Sequence, residues 1–257
     1  MSKRVIRKNA IAKVAVVQGS HSDVDYYSHS CKDTTEGLVK LGYKVHVVSE
    51  NNLPKFKLKK HMVMKGTARF VRTGINMMGV KQPANVDIPV SLRKHAHRRV
   101  WEATLGEIRR TGDPDSVFIK PLHAQKLFPG GIFSRKAHET YRLPDEFAVL
   151  ASEVVEMEGE KRFFVANGKI VSEFDPARLW RLSISREQVE KIISDYENPH
   201  AGYAIDIAWI KTNDGQEKVG IVELNEVYSA ATFGETTPVN LAAALVARWD
   251  QIIDQGS

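Results

Sequence analysis

The 257-residue chain is 42% hydrophobic and 26% charged, enough apolar material for a full core in one large domain or two lobes, which excludes a disordered chain. No run of about 18 apolar residues occurs, and the Lys/Arg-rich start leads into no apolar stretch, so neither a membrane span nor a signal peptide is expected and the cytoplasm is the expected location. The net charge of +6 conceals an asymmetry, because residues 55–110 hold fourteen Lys and Arg against Asp87, Glu102 and Glu107. A stretch that basic suits a polyanion such as nucleic acid or an acidic protein, with Arg98 and Arg99 among the expected contacts.

In chain order, Ile11 to Gly19 (IAKVAVVQG) and Lys44 to Ser49 (KVHVVS) are rich in β-formers, and the stretch Cys31 to Leu41 between them completes a β-α-β unit. The turn Gly19-Ser20-His21-Ser22-Asp23 lacks the glycine spacing of a dinucleotide fingerprint. Cys31 is the single cysteine, which excludes an internal disulfide and a cysteine-rich metal site. Ser91 to Arg110 reads as one helix, with Leu92, Ala96, Val100, Thr104 and Ile108 on one stripe. His95 and His97 then face different ways, so with His123 they are not expected to bind metal. Thr111-Gly112-Asp113-Pro114 ends that helix and divides an N-terminal lobe, 1–112, from a second unit, 113–257.

Beyond the boundary the pattern changes to short strands with explicit turns. Val117 to Lys120 is a strand, followed by a Gly/Pro-rich loop through Gly130-Gly131 and then Ile132-Phe133. Arg162 to Val165 and Lys169 to Val171 flank Asn167-Gly168, the dipeptide of a tight hairpin. Ser185 and Gln188 form a capping box opening a helix through Tyr196, with Val189, Ile192 and Ile193 inward. Tyr203 to Ile210 and Lys218 to Leu224 make a second hairpin around Asn213-Asp214-Gly215, and a last helix runs from Thr237-Pro238 to about Ile253.

The second hairpin carries the chemistry. Glu223 and Asn225 are two apart and share a strand face, and the hairpin can bring Asp206 beside them, giving three hard oxygen donors suited to Mg²⁺. Lys120 closes a buried-looking strand and Lys126 lies in the glycine-containing loop, where lysines and backbone N–H groups can hold phosphates. Arg162 can meet a phosphate with two N–H groups.

In order, Phe118-Ile-Lys-Pro, Lys126-Leu-Phe-Pro-Gly-Gly, a Glu153-Val-Val-Glu strand, Glu160-Lys-Arg162, Ile205-Asp-Ile, Val222-Glu-Leu-Asn225 and Phe233-Gly resemble the ATP-grasp superfamily. The resemblance covers about half the chain and points to the clade, common in bacteriophages and bacteria, named for two arginines and one lysine at its nucleotide site. It implies an α/β (α+β) ATP-grasp fold: a parallel, pre-ATP-grasp-like N-terminal lobe and antiparallel-sheet ATP-binding subdomains over 113–257, with the ATP site at roughly Ser116 to Gly234. It implies ATP and Mg²⁺ as cofactors. Lys120 and Lys126 would lie on the phosphates, with Arg162 on the γ-phosphate or an acyl phosphate. The Glu153, Val154 and Val155 backbone would meet adenine, with Glu160 nearby, and Asp206, Glu223 and Asn225 would hold Mg²⁺. Arg178 and Arg181 would be further phosphate or substrate contacts. Position 120 is lysine where that clade's pattern leads one to expect arginine.

The activity implied is ligation: a carboxylate activated as an acyl phosphate, then joined to an amine or thiol, with release of ADP and phosphate. The carboxylate and amine substrates expected include a peptide, a protein tail, an amino acid or an RNA end. A nucleic-acid-binding or RNA-modifying protein, and an ATP-binding protein without turnover, are the rival expectations.

Overall fold

The computed structural model describes residues 12–22, 25, 27–110, 116–122, 127–133, 142–174, 184–212, 214–232 and 237–256. His123, Lys126, Arg178, Arg181 and the Phe233-Gly pair lie outside these described residues.

Three sheets form the framework. The first is parallel, in the order β2-β1-β3, from β1 (Val14–Gly19), β2 (Lys44–Ser49) and β3 (Val63–Lys65). β1 is the central strand and buries Ala15, Val16 and Val17, as expected of a parallel strand covered on both faces. Helix α1 (His29–Lys40), capped by Ser28, links β1 to β2, which realises the expected β-α-β unit. Helix α2 (Ala68–Met77), capped by Thr67, follows β3.

The second sheet is antiparallel in the order β4-β7-β5-β6, from β4 (Val100–Thr104), β5 (Val117–Pro121), β6 (Gly131–Ile132) and β7 (Ala148–Glu153). Leu105 and Ile108 of the short helix α3 (Leu105–Arg110) join its core with Ile119, Phe128 and Phe133. The single helix expected over Ser91 to Arg110 is therefore corrected to a 3-10 turn (Val90–Ala96), strand β4 and helix α3. Leu92, Ala96, Val100 and Ile108 are all buried, so the apolar stripe is real. It is spread over three elements because His97 takes a left-handed φ of 49° that breaks any helix, and Val100 and Trp101 then favour a strand. β4 pairs with β7, so this sheet takes strands from both sides of Gly112.

The third sheet, order β11-β10-β8-β9, is the antiparallel core of β8 (Glu156–Ala166), β9 (Lys169–Phe174), β10 (Gly202–Lys211) and β11 (Glu217–Glu226). Alternation along the strands divides it cleanly. Phe163, Val165, Ile205 and Ile207 pack with Val189, Ile192 and Ile193 of α4 (Arg186–Ser194), while Phe164, Ala166 and Ala204 join the parallel sheet and α5 (Pro238–Gln255). The sheet is thus buried on two sides. Both hairpins form as expected: Asn167 and Gly168 take φ of 47° and 73°. The Ser185–Gln188 capping box closes in both directions, and Pro238 opens the last helix. Glu153-Val-Val-Glu is not a strand of its own; Val154 and Val155 are the crossing from β7 to β8, between two sheets.

The basic stretch does not form a uniform cationic surface. Arg98 is drawn inward and donates to the carbonyls of Ala96, Ile221 and Val222, with burial lowering its pKa to about 10. Lys65 is buried and Arg72 donates to Gln82, Pro83 and Asn85. Charge counted along this sequence therefore overstates what a polyanion would meet, and Arg98 is no surface contact.

Candidate active site

The register of three neighbouring strands builds the centre. Asp206 on β10 stands opposite Arg162 of β8 and Glu223 of β11, and Ala204 stands opposite Asn225. A β-bulge follows Asp206 on the β11 side, and such bulges re-aim side chains locally. Asp206 is fully buried, and both its oxygens accept from Arg162, Nε and Nη2 each at 2.6 Å. Arg162 Nη1 also donates to the Ala231 carbonyl at 3.0 Å. Asn225 Nδ2 bridges the two carboxylates, 3.0 Å to Asp206 Oδ2 and 2.7 Å to Glu223 Oε1. From β5, Lys120 Nζ lies 2.7 Å from Asp87 Oδ1 and 4.0 Å from Glu223 Oε2.

Two cavities meet at this cluster. One of about 690 Å³ is lined by Lys120, Arg162, Glu223 and Asn225, with Phe128 and Gly130 of the glycine-containing loop. A more apolar one of about 340 Å³ lies between the two antiparallel sheets, among Ile88, Val100, Leu150 and Val222, with Glu153, Val154 and Val155 on its wall. Phe118, Lys120 and Glu223 line both. The Val154 N–H donates to the Ser116 carbonyl at 3.1 Å, and the Glu153 carboxylate accepts from the Arg99 N–H at 2.8 Å. The arrangement offers an apolar slot ending against two cations and several carboxylates.

Burial pulls the Arg162 pKa down, but the hydrogen bond and charge of Asp206, with Glu223 and Glu160, outweigh it and raise the pKa, holding the guanidinium charged. Burial raises the Asp206 carboxyl, and the Arg162 pair opposes this. Glu160 shares a strand face with Arg162. Its side chain still reaches solvent, yet the protein around it strips away part of its hydration. That desolvation, then the charges of Asp206 and Glu223, raise its pKa above the ordinary glutamate value.

Among the described residues no cluster of three His, Cys, Asp or Glu is placed to hold a metal. The expected ligand set is two carboxylates and an amide, and the strands do bring Asp206, Glu223 and Asn225 together. The donor chemistry fits a hard divalent cation: four acids (Asp87, Glu160, Asp206 and Glu223) surround Lys120 and Arg162, leaving an excess of negative charge. Asn225 spends its N–H₂ on the carboxylates, so its carbonyl oxygen is the group left to ligate.

The model of an ATP-grasp domain family, the second family of the clade named for two arginines and one lysine, matches residues 95–243, more than half of the chain. The chain belongs to this family. Its mixed α/β architecture is the ATP-grasp fold, and the matched span begins ahead of Gly112, at the turn before β4. Among solved structures, the ATP-grasp ligase PsnB complexed with minimal precursor superposes with a TM-score of 0.51 at 16% identity, over 93% of this chain and 99% of PsnB. The macrocyclase MdnC of Microcystis aeruginosa MRC, bound with precursor peptide MdnA, gives a TM-score of 0.48 at 12% identity, over 91% of this chain and 98% of MdnC. A RimK domain ATP-grasp protein from Sphaerobacter thermophilus DSM 20745 gives 0.47 at 16% identity, over 94% of this chain and 99% of that one. No curated protein sequence matches the chain.

For this ATP-grasp chain, sequence reasoning did not assign two residues to the candidate site. Asp87 is paired with Lys120, and Arg98 lines the apolar cavity while bracing Ile221 and Val222, next to Glu223. Neither carried a signal, since Asp87 sits in an irregular stretch and Arg98 among many basic neighbours.

Proposed function

We propose that this ATP-grasp chain is an ATP- and Mg²⁺-dependent ligase that activates a carboxylate as an acyl phosphate and joins it to an amine, releasing ADP and phosphate. The observation that supports this most is the apolar slot between two sheets opening onto a cation–carboxylate cluster, a shape suited to adenine at one end and phosphates at the other. In this reading the Glu153–Val155 backbone faces adenine and Lys120 meets the phosphates. Arg98, Arg162 and Lys120 are the described cations on the cavity walls, two arginines and one lysine. Lys126 and Arg181 keep their proposed phosphate roles from sequence alone.

Asp206, Glu223 and Asn225 would hold Mg²⁺, which when bound neutralises charge on the phosphates. Arg162 has five N–H donors and uses three on Asp206 and Ala231, so two remain for a phosphoryl oxygen. A substrate carboxylate oxygen attacks the γ-phosphorus, the bond to the β-bridging oxygen breaks and ADP leaves. The amine nitrogen then attacks the acyl carbon, the carbon–oxygen bond to phosphate breaks, and the amine proton passes to solvent. Lys120 and Arg162 stabilise the transferring charge by position, and no covalent enzyme intermediate is needed. PsnB is a ligase complexed with its precursor, which supports a peptide, protein or amino-acid substrate here. The cytoplasm, where ATP is supplied, is the compartment this reading calls for.

The test is thermal unfolding with and without Mg-ATP. A ligand at 100 times its Kd stabilises by about 2.7 kcal/mol, so wild type should shift clearly while Glu223→Ala and Lys120→Ala shift far less. Equal shifts in all three reject the assignment. Incubation with candidate amino acids and peptides should release ADP and phosphate; AMP and pyrophosphate would reject the acyl-phosphate route.

Mg²⁺ affinity should also depend on pH. Because the Glu160 pKa is raised, the carboxyl takes up a proton above the ordinary glutamate value of about 4.3. Mg-ATP binding should weaken as pH falls through that higher range, and Glu160→Gln should flatten the dependence. A wild-type profile unchanged by Glu160→Gln would show that this carboxyl is not sensed.

A further inference from the structure

A third cavity, of about 640 Å³, also borders the Ser229–Ala231 segment and is distinct in charge from the first two. Its described lining carries three cations, Lys65, Arg69 and Arg72, and no carboxylate. Arg72 donates to neutral oxygens, from Gln82, Pro83 and Asn85, which use three of its five N–H donors. The buried Glu226 acts on it only from a distance and is itself bonded to Arg248. Arg69 is 85% exposed at the rim and pairs with Glu50 at 2.7 Å. Tyr27 and Leu127, 57% and 50% exposed, add apolar surface.

The place of this cavity follows from topology. β1 is flanked by β2 on one side and β3 on the other, so the chain reverses direction of winding between β1 and β3, and open parallel sheets hold ligands beyond the strand ends at that point. Gln18 at the end of β1 accepts from the Thr67 N–H at 2.7 Å, tying that strand to the start of α2. Gly66 is required there: a Cβ would stand 2.7 Å from Gln18. The starts of α1 and α2 both border the space, and their dipoles add to the positive potential.

The cavity is also joined to the nucleotide side. Ser229 and Ala231 line both this space and the 690 Å³ cavity. Lys65 Nζ donates to the carbonyls of Val227 and Ala230 at 3.1 and 2.7 Å, and Arg162 takes the carbonyl of Ala231. One short segment thus borders both chambers and is gripped by a cation of each.

We propose that this cavity binds the anionic group, a carboxylate or a phosphate monoester, of the substrate delivered to the ATP site. The inference rests on the ligase reading for what becomes of the substrate, but the binding itself does not. At about 640 Å³ the space is within the range of small-molecule pockets.

The test is an NMR titration of the full chain without nucleotide, following the amides of Ser30, Thr67 and Ala68. The probes are O-phosphoserine and glutamate, with serine and glutamine as neutral controls. Saturable shifts at these amides are expected with the anions and not with the controls; the stronger of the two anions distinguishes a phosphate from a carboxylate ligand. Affinity should fall about tenfold in Arg69→Glu and Arg72→Gln and stay within about threefold in Arg72→Lys, since charge-assisted recognition is what is lost. Should Arg72→Gln not fold, Arg69→Glu at its exposed position decides. Equal shifts with serine and glutamine, or unchanged affinity in Arg69→Glu, overturn the proposal. A separate Mg-AMPPNP titration should move Ser152, Val154 and Glu223. Loss of those shifts with the anion response intact rejects the ligase reading alone, and the converse rejects the anion site alone.

Discussion

Replacing Arg162 by alanine is expected to destabilise the protein by about 3–5 kcal/mol near neutral pH and by much less in acid, because it leaves a buried carboxylate without its partner. Asp206 is 0% exposed and takes both of its short bonds from Arg162, whose own side chain is 17% exposed. Once orphaned, Asp206 has a folded-state pKa set by burial, above the unfolded value of about 3.9. Below the unfolded value both states are protonated and the penalty is absent. It grows as pH rises between the two values, because the unfolded chain ionises first, and is complete above the folded value. Urea unfolding at several pH values reads this directly, and adding Asp206→Asn to the variant should recover much of the loss. A pH-independent loss below about 1 kcal/mol would contradict the buried pairing.

The second large effect is expected one step further along β11. Glu226 is fully buried and Arg248 is 2% exposed; they form two bonds, Nε to Oε2 at 3.0 Å and Nη2 to Oε1 at 2.6 Å. Burial pushes the Glu226 carboxyl up, with Arg248 opposing it. Arg248→Ala should cost about 3–5 kcal/mol, whereas Arg248→Met with Glu226→Gln should cost far less, since no charge is then stranded. Because Glu226 follows Asn225 directly, the single variant should also weaken Mg-ATP binding when measured well below its melting point. Equal stability of the single and double variants would show that the pair is not what anchors α5 to the sheet.

Much of this fold was legible because local signals and tertiary context agree. Asn167-Gly168 needs positive φ and has it, the Ser185–Gln188 box caps its helix, and the spacing of Glu223 and Asn225 sets them on one face. Reading failed where one pattern served several elements. Leu92, Ala96, Val100 and Ile108 recur every four residues or a multiple of it, yet their burial is distributed over a turn, a strand and a helix. Val63–Lys65 is three residues long, too short to show a period, and is recruited into the parallel sheet by β1. The cluster around Asp206 could be foreseen from one hairpin, but Asp87 and Arg98 reach it through long-range packing that no nearby spacing records.

The grip of Lys65 on Val227 and Ala230 has a bearing on how the chain can be divided. A fragment starting after Gly112 would lack both β4, the edge partner of β7, and the lysine that fastens the backbone beyond β11. Two carbonyls would lose their buried donor and one strand its neighbour. The residues ahead of Gly112 are therefore a structural part of the wall around the Asp206 cluster, and excising them would loosen it even though every side chain of that cluster except Asp87 and Arg98 remained.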